Sequence, residues 1–286
     1  MEYISLEHNI SALKGGEPIT FAHKRTQSDT EQHRLHLNNH LEIYVFVSGE
    51  THYVVEDRYY VLERGDILLI PPYSIHVPIL KQPCTYERFY LLFPVASLST
   101  YATQVLEDLL HRFGADARLP LTPAQRQQSL ELLYRMSALA AHSPSDSNTL
   151  QLHALGLELL CLVHAAAQGK QEPSPRAPRL PRLVEEVLAY VSDHCTEITG
   201  IAGIASHFYV SEQHLATVFK RHIGVTLNSY LQTKKISVAK RLLEQGHSVT
   251  YACYECGYHD CSYFIKVFKR IVGTTPQRYA KDFARG

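Results

Sequence analysis

Thr199-Gly-Ile-Ala-Gly-Ile-Ala-Ser-His-Phe-Tyr-Val-Ser-Glu-Gln-His-Leu-Ala-Thr-Val-Phe219 decides the fold, because the chain writes the pattern twice. It returns as Ser248-Val-Thr-Tyr-Ala-Cys-Tyr-Glu-Cys-Gly-Tyr-His-Asp-Cys-Ser-Tyr-Phe-Ile-Lys-Val-Phe268. Ala205 answers to Cys253 at an offset of 48, and Phe219 to Phe268 at 49. Each copy predicts a short helix, a tight turn and a longer helix. In the longer helix of the first copy, Leu215, Val218, Phe219 and His222 fall at i, i+3, i+4 and i+7, one buried face. Phe264, Val267, Phe268 and Ile271 do the same in the second. Ser211 and Asp260 stand where an N-cap accepts a backbone N–H, and Gly224 and Gly273 where a left-handed residue closes a helix.

The opposite faces carry Gln213, Ala216, Thr217 and Lys220 in the first copy, and Ser262, Ile265, Lys266 and Lys269 in the second. Arg221 and Arg270 extend them. Small and polar side chains let a helix approach base edges in the major groove, while lysine and arginine at its end reach phosphates. Gln213 suits adenine and Ile265 a thymine methyl. A lone pattern of this kind is a weak signal; two at fixed spacing are a strong one.

Residues 198–280 resemble the DNA-binding domain of the AraC/XylS family of bacterial transcription regulators. The resemblance runs through Ile204-Ala205, Ser211, Leu215, Phe219-Lys220, Gly224, Tyr230-Leu231, Lys235-Ile236, Ala239-Lys240 and Leu242-Leu243. It continues through Gly257-Tyr258, Ser262-Tyr263-Phe264, Val267-Phe268-Lys269, Gly273, Thr275-Pro276 and Tyr279. Cys253 departs from the usual Ala, and Lys235 and Lys266 from Arg; Lys266 cannot fork onto a base as Arg does. Gly200 and Gly203 are both expected inside the first helix, weakening it by about 1 kcal/mol each relative to Ala. Between the repeats, Leu227–Glu244 reads as one long helix holding the two units apart. Two recognition helices on one DNA face would lie about 34 Å apart.

The chain has 286 residues and no formal net charge, yet the charge is uneven. From Arg182 onward there are 13 Lys and Arg against 9 Asp and Glu, leaving 15 against 19 before it. A basic C-terminal part and an acidic N-terminal one fit a nucleic-acid reader joined to something else. No charged-then-apolar leader opens the chain and no run of about 18 apolar residues is evident, so a cytoplasmic protein without membrane contact is expected. Four of six cysteines crowd the C-terminal part. Cys253 and Cys256 fall on apolar helix positions, and His259 and Cys261 offer no second pair at zinc spacing, so no metal or other cofactor is expected.

Upstream, Ile43–Val47, Thr51–Val55, Tyr59–Leu62, Ile67–Ile70 and Phe89–Phe93 are β-rich runs broken by Gly49, Gly65 and Pro71-Pro72, which predicts a small antiparallel barrel or sandwich. Residues 1–35 read as edge strands and loops. His36-x-Asn38-x3-Glu42-x6-Gly49 and Gly65-x5-Pro71-x-Tyr73-x2-His76 resemble the two cupin motifs, with Asn38 for a histidine ligand, Tyr73 for the usual glycine and Leu80 at the fourth ligand position. His36, Asn38, Glu42, Tyr44 and His76 are the candidate effector residues. Tyr44, Phe46, Tyr53, Arg58, Tyr60 and Arg88 are candidates for the interior or rim, which suits a sugar or other polyol as well as plain barrel core. A metal cupin enzyme fused to a DNA-binding tail is the alternative, needing His36, Glu42 and His76 as ligands; no enzymatic activity is the primary expectation.

Leu98–His111 reads as helical. Thr122-Pro123-Ala124-Gln125 is a capping box opening a helix to about Ala141. Ser143–Asn148 reads as a loop, and Leu150–Ala167 as a helix apolar nearly all round, to be covered by a partner subunit or by its own domain. Pro173, Pro175, Pro178 and Pro181 mark a linker. The expected fold class is α+β: a cupin-like effector-sensing barrel over 1–95, a helical dimerisation segment over 96–168, a linker over 169–181 and a double helix-turn-helix over 182–286. The resemblance implies double-stranded DNA, a second copy of the chain, RNA polymerase and a small-molecule effector as partners.

Overall fold

The computed structural model describes residues 4–10, 18–28, 35–94, 104–105, 107–109, 116–143, 145–169 and 180–284. Eight strands lead: β1 (Ile4–Ile10), β2 (Ile19–Ser28), β3 (Leu41–Ser48), β4 (Thr51–Val55), β5 (Arg58–Val61), β6 (Ile67–Ile70), β7 (His76–Leu80) and β8 (Cys84–Phe93). They form two antiparallel sheets, ordered β1-β2-β8-β3-β6 and β5-β4-β7. The segment before residue 35 supplies more than edges, since β2 lies between β1 and β8. β7 begins at His76 and is absent from the strands predicted above.

Strand alternation sorts the residues onto two buried faces. Tyr44, Phe46, Tyr53, Tyr60, Leu68, Ile70 and Tyr86 fill the space between the sheets. Ile43, Val45, Val47, Phe89, Leu91 and Phe93 point the other way, into the core under helices α1 (Pro123–Ala140) and α2 (Asp146–Ala167). Thr122 caps α1 reciprocally with Gln125, and Pro123 sits in its first turn. Glu87, buried on this face of β8, accepts bonds from His23 Nε2 (3.0 Å), Arg25 Nε (2.8 Å) and the Tyr134 hydroxyl (3.0 Å), tying α1 to the sheet.

One expectation changes here and one open alternative is decided. Helix α2 begins at Asp146, inside the expected loop, because the Ser145 side chain accepts the Asn148 N–H. Its apolar side is covered by its own domain: Leu152, Leu155, Leu159, Leu160, Leu162 and Val163 pack against α1 and the outer face of the larger sheet. That sheet face is itself apolar, so no second chain is needed to bury the helix. By length and composition alone α2 could cross a membrane, and half of that stretch is buried in the fold. Of Leu98–His111, residues 104–105 and 107–109 are helical. The rest, and nearly all of the expected linker, lie outside the described residues.

The C-terminal helices are α3 (Arg182–His194), α4 (Ile201–His207), α5 (Glu212–Ile223), α6 (Leu227–Glu244), α7 (Val249–Glu255), α8 (Cys261–Val272) and α9 (Pro276–Phe283). Gly200 is the N-cap of α4 with extended backbone, so only Gly203 lies within that helix. Two cores result. The first joins Val184, Leu188, Ile204, Leu215, Phe219 and Tyr230 with the sheet residues Val54, Ile75, Val77 and Ile79. The second gathers Ile236, Ala239, Cys253, Cys256, Tyr258, Phe264 and Phe268.

Candidate nucleic-acid interface and effector cavity

Each helix-turn-helix is built from the same local devices. The Ser211 hydroxyl accepts the His214 N–H (3.2 Å), and Asp260 Oδ1 accepts those of Ser262 (2.7 Å) and Tyr263 (3.2 Å). Gly224 (φ 82°) and Gly273 (φ 87°) close α5 and α8 in the left-handed conformation that costs glycine nothing. With the ends fixed, Leu215, Phe219 and Ile223 are buried in α5, and Phe264, Val267 and Phe268 in α8. Val218, His222 and Ile271 are only half-buried.

The opposite faces point to solvent: Gln213, Ala216, Thr217, Lys220 and Arg221 on α5, and Ser262, Ile265, Lys266, Lys269 and Arg270 on α8. Ile265 is 37% exposed, an apolar side chain with room for a partner. Arg270 and Ile271 line a notch together with Leu35–Leu37 of the strand region and with Val225, Ser229 and Thr233. Helix α6 joins the units. Its Lys235 Nζ donates to the Gly257 carbonyl (3.1 Å) and its Gln232 accepts from the Tyr258 hydroxyl (2.5 Å), fixing the second unit to the spacer.

His36, Asn38, Glu42, Tyr44 and His76 line one cavity of about 290 Å³ between the sheets. The backbones of His36 and His76 pair (2.9 and 3.2 Å), and their rings stack 5.4 Å apart. Glu42 Oε2 accepts from Asn38 Nδ2 (2.8 Å) and meets His76 Nε2 at 3.2 Å. Burial alone would push the Glu42 carboxyl up, but the charge and hydrogen bond of His76 hold it below its ordinary range. For His76 burial pulls down, and Glu42 outweighs it, leaving the imidazole raised.

Tyr53, Tyr86, Arg88 and Tyr90 complete the walls with Leu37, Pro78 and Leu92. The Tyr44 and Tyr86 hydroxyls bond at 2.6 Å, and burial first of all raises both phenols, keeping them neutral. Phe46 and Tyr60 lie in the core between the sheets, and Arg58 is exposed away from the cavity, so it is not part of this interior. The signal for Tyr86, Arg88, Tyr90 and Leu92 was strict alternation along a strand that begins at Cys84 rather than Phe89. Among the described residues, no three His, Cys, Asp or Glu side chains are grouped to hold a metal. The Glu42–His76 pair and the Asn38 bond occupy groups that the metal reading needs.

Residues 204–282 match a family model described as a helix-turn-helix domain, and residues 19–160 one described as an AraC-like ligand binding domain. The chain is 26% identical over 252 residues to the HTH-type transcriptional regulator YfiF of Bacillus subtilis, spanning 85% of this chain and 77% of that protein. It is 30% identical over 95 residues to the HTH-type transcriptional activator RhaS of Escherichia fergusonii, spanning 33% and 34%. Among solved structures, it is similar to a DNA-binding transcriptional dual regulator from Escherichia coli K-12 at 26% identity, covering 39% of this chain and 100% of that one, with a TM-score of 0.33.

Proposed function

The chain belongs to the AraC family of DNA-binding transcription regulators, and we propose that it reads duplex DNA with α5 and α8 under the control of a small molecule bound between the two sheets. The observation that carries this reading is the pairing of two helices alike in caps, buried face and exposed face, on one spacer helix. Gln213, Ala216 and Thr217 face bases in one groove segment, and Ser262, Ile265 and Lys266 in the next. Lys220, Arg221, Lys269 and Arg270 take phosphates.

The effector arm of the proposal is supported by the way the strand region docks on α6. Tyr73, left-handed at φ 66°, donates its N–H to the Asn38 carbonyl (2.8 Å) at the cavity, and its own carbonyl accepts from Ser237 (2.6 Å) on α6. Its hydroxyl reaches Glu244. Glu56, left-handed at φ 54°, accepts the Tyr230 hydroxyl at its carbonyl (2.8 Å) and pairs with Lys234. Among the described residues, both non-glycine residues with positive φ in the strand region are therefore committed to the reader, and strain of this kind persists where surroundings enforce it. A ligand that moves Asn38 or His76 moves the turn that grips the spacer.

The chain acts as a homodimer in the cytoplasm, with RNA polymerase as its further partner. The exposed side of α2, including Leu150 (62% exposed) and Cys161, is the surface offered to a second copy. Binding of a labelled duplex carrying its selected site, titrated against salt, tests the core of the proposal. Charge reversals Lys220→Glu and Lys269→Glu are expected each to weaken binding and to flatten the salt slope by about one to two counterions. Affinity indifferent to both reversals overturns the assignment.

A further inference from the structure

We propose that the ligand of the cavity is a small hydroxylated acid carrying one negative charge, its carboxylate on Arg88 and its hydroxyls on Glu42 and Tyr53. This rests on the effector reading above and adds the ligand's chemistry to it. The argument starts from charge. Glu42 already has His76 in contact at 3.2 Å, while His36 brings no negative charge. Arg88, charged at any accessible pH, also lines the cavity. Its Nη1 donates only to neutral oxygens, Thr26 Oγ1 at 3.2 Å and the Tyr86 carbonyl at 3.5 Å, and its guanidinium lies 4.2 Å from the centre of the Tyr86 ring. Among the described residues no carboxylate pairs with it. The cavity thus holds a guanidinium without a carboxylate partner between tyrosine walls, where its fork matches a carboxylate edge to edge.

The remaining polar groups specify the rest of the ligand. Both bonds to Glu42 fall on Oε2, so Oε1 has accepting capacity and no donor among the described residues. The Tyr53 hydroxyl, on a residue only 3% exposed, likewise has no partner among them. Neither atom is sealed from solvent, so ligand hydroxyls can reach and bond both. An ammonium at Glu42 would compete with the His76 and Asn38 side chains that already hold its Oε2, which favours hydroxyls over an amino group. About 290 Å³ admits a molecule of monosaccharide size.

The test uses the full chain with D-glucuronate and D-gluconate, their neutral counterparts D-glucose and D-glucitol, and L-serine as a zwitterion, all at matched ionic strength. Thermal stabilisation and calorimetry are expected to favour the acids over their neutral counterparts by about tenfold or more. Arg88→Gln is expected to erase that preference and Arg88→Lys to keep part of it, while circular dichroism reports whether each variant is folded. Preference for the neutral polyols, stabilisation by serine alone, or no response to any acid each overturns the inference. The effector reading fails separately, when a broad set of metabolites, neutral and cationic ones included, leaves both melting temperature and DNA affinity unchanged.

Discussion

The two helix-turn-helix units share a plan and differ in what surrounds them. In the first, the turn residue Tyr209 holds φ 55° with its side chain 95% exposed. In the second, Gly257 holds φ 70° beneath the Thr196 carbonyl, where a Cβ would come within 1.9 Å of the oxygen. Both turns need a left-handed residue, but only the second lacks room for a side chain. The cores differ in the same sense. Phe219 belongs to a core continuous with Val54, Ile75, Val77 and Ile79 of the strand region, whereas the buried core around Phe268 is drawn from the second unit and α6, with Leu37 of the strand region packed against its edge. Local caps make the unit; its neighbours decide whether it is coupled to the sensor or to itself.

That contrast can be broken by mutation, beginning with the largest effect. Phe219→Ala and Phe268→Ala each remove a fully buried ring and should cost about 3–5 kcal/mol. Hydrogen exchange should then show lost protection spreading from Phe219 into β4 and β7, but staying within α7 to α9 and the adjoining part of α6 for Phe268. Equal spreading in both would erase the distinction between the cores. Next comes the turn: Gly257→Ala should destabilise by about 3 kcal/mol through backbone clash and strain. Tyr209→Gly should change stability by less than about 1 kcal/mol, because relief of strain and added chain entropy nearly cancel. Denaturant midpoints measured side by side decide this.

A pH prediction concerns the sensor. His76, raised above 6.5, contributes stability that is fully present below 6.5 and lost as pH rises through its folded value. Glu42, lowered below 4.5, contributes stability present above 4.5 and lost as pH falls through its folded value. The pair therefore contributes most between those two values, and Glu42→Gln should lower the melting temperature there and flatten its fall on either side of that window. The smallest effect is expected at Gly203, exposed in α4 with nothing within 4 Å of an added Cβ. Gly203→Ala should raise stability by about 0.5–1 kcal/mol in thermal unfolding.

The legible parts of this chain were those governed by neighbours in sequence. Ser211, Asp260, Gly224 and Gly273 announce helix ends through one side chain or one backbone angle, and α6 was readable to its last residue, Glu244. The cavity residues His36, Asn38, Glu42 and His76 were found by motif spacing. What spacing could not carry was who covers what. Gln232, Thr233, Lys235, Ser237 and Lys240 of α6 are polar, yet they are buried, by the second unit at Lys235 and by Tyr73 at Ser237. What covers helix α2 stayed open in the sequence because the sheet face that packs on it comes from strands more than fifty residues away.

The central claim is that α5 and α8 read two neighbouring major-groove segments from one chain. Base-resolved selection of binding sites for the native chain, Gln213→Ala and Lys266→Ala tests it most directly. The account predicts that each variant relaxes preference at its own base pair by about 1–3 kcal/mol, the two positions lying about one helical turn, 10–10.5 base pairs, apart. A uniform loss of affinity across all sequences in both variants would contradict it.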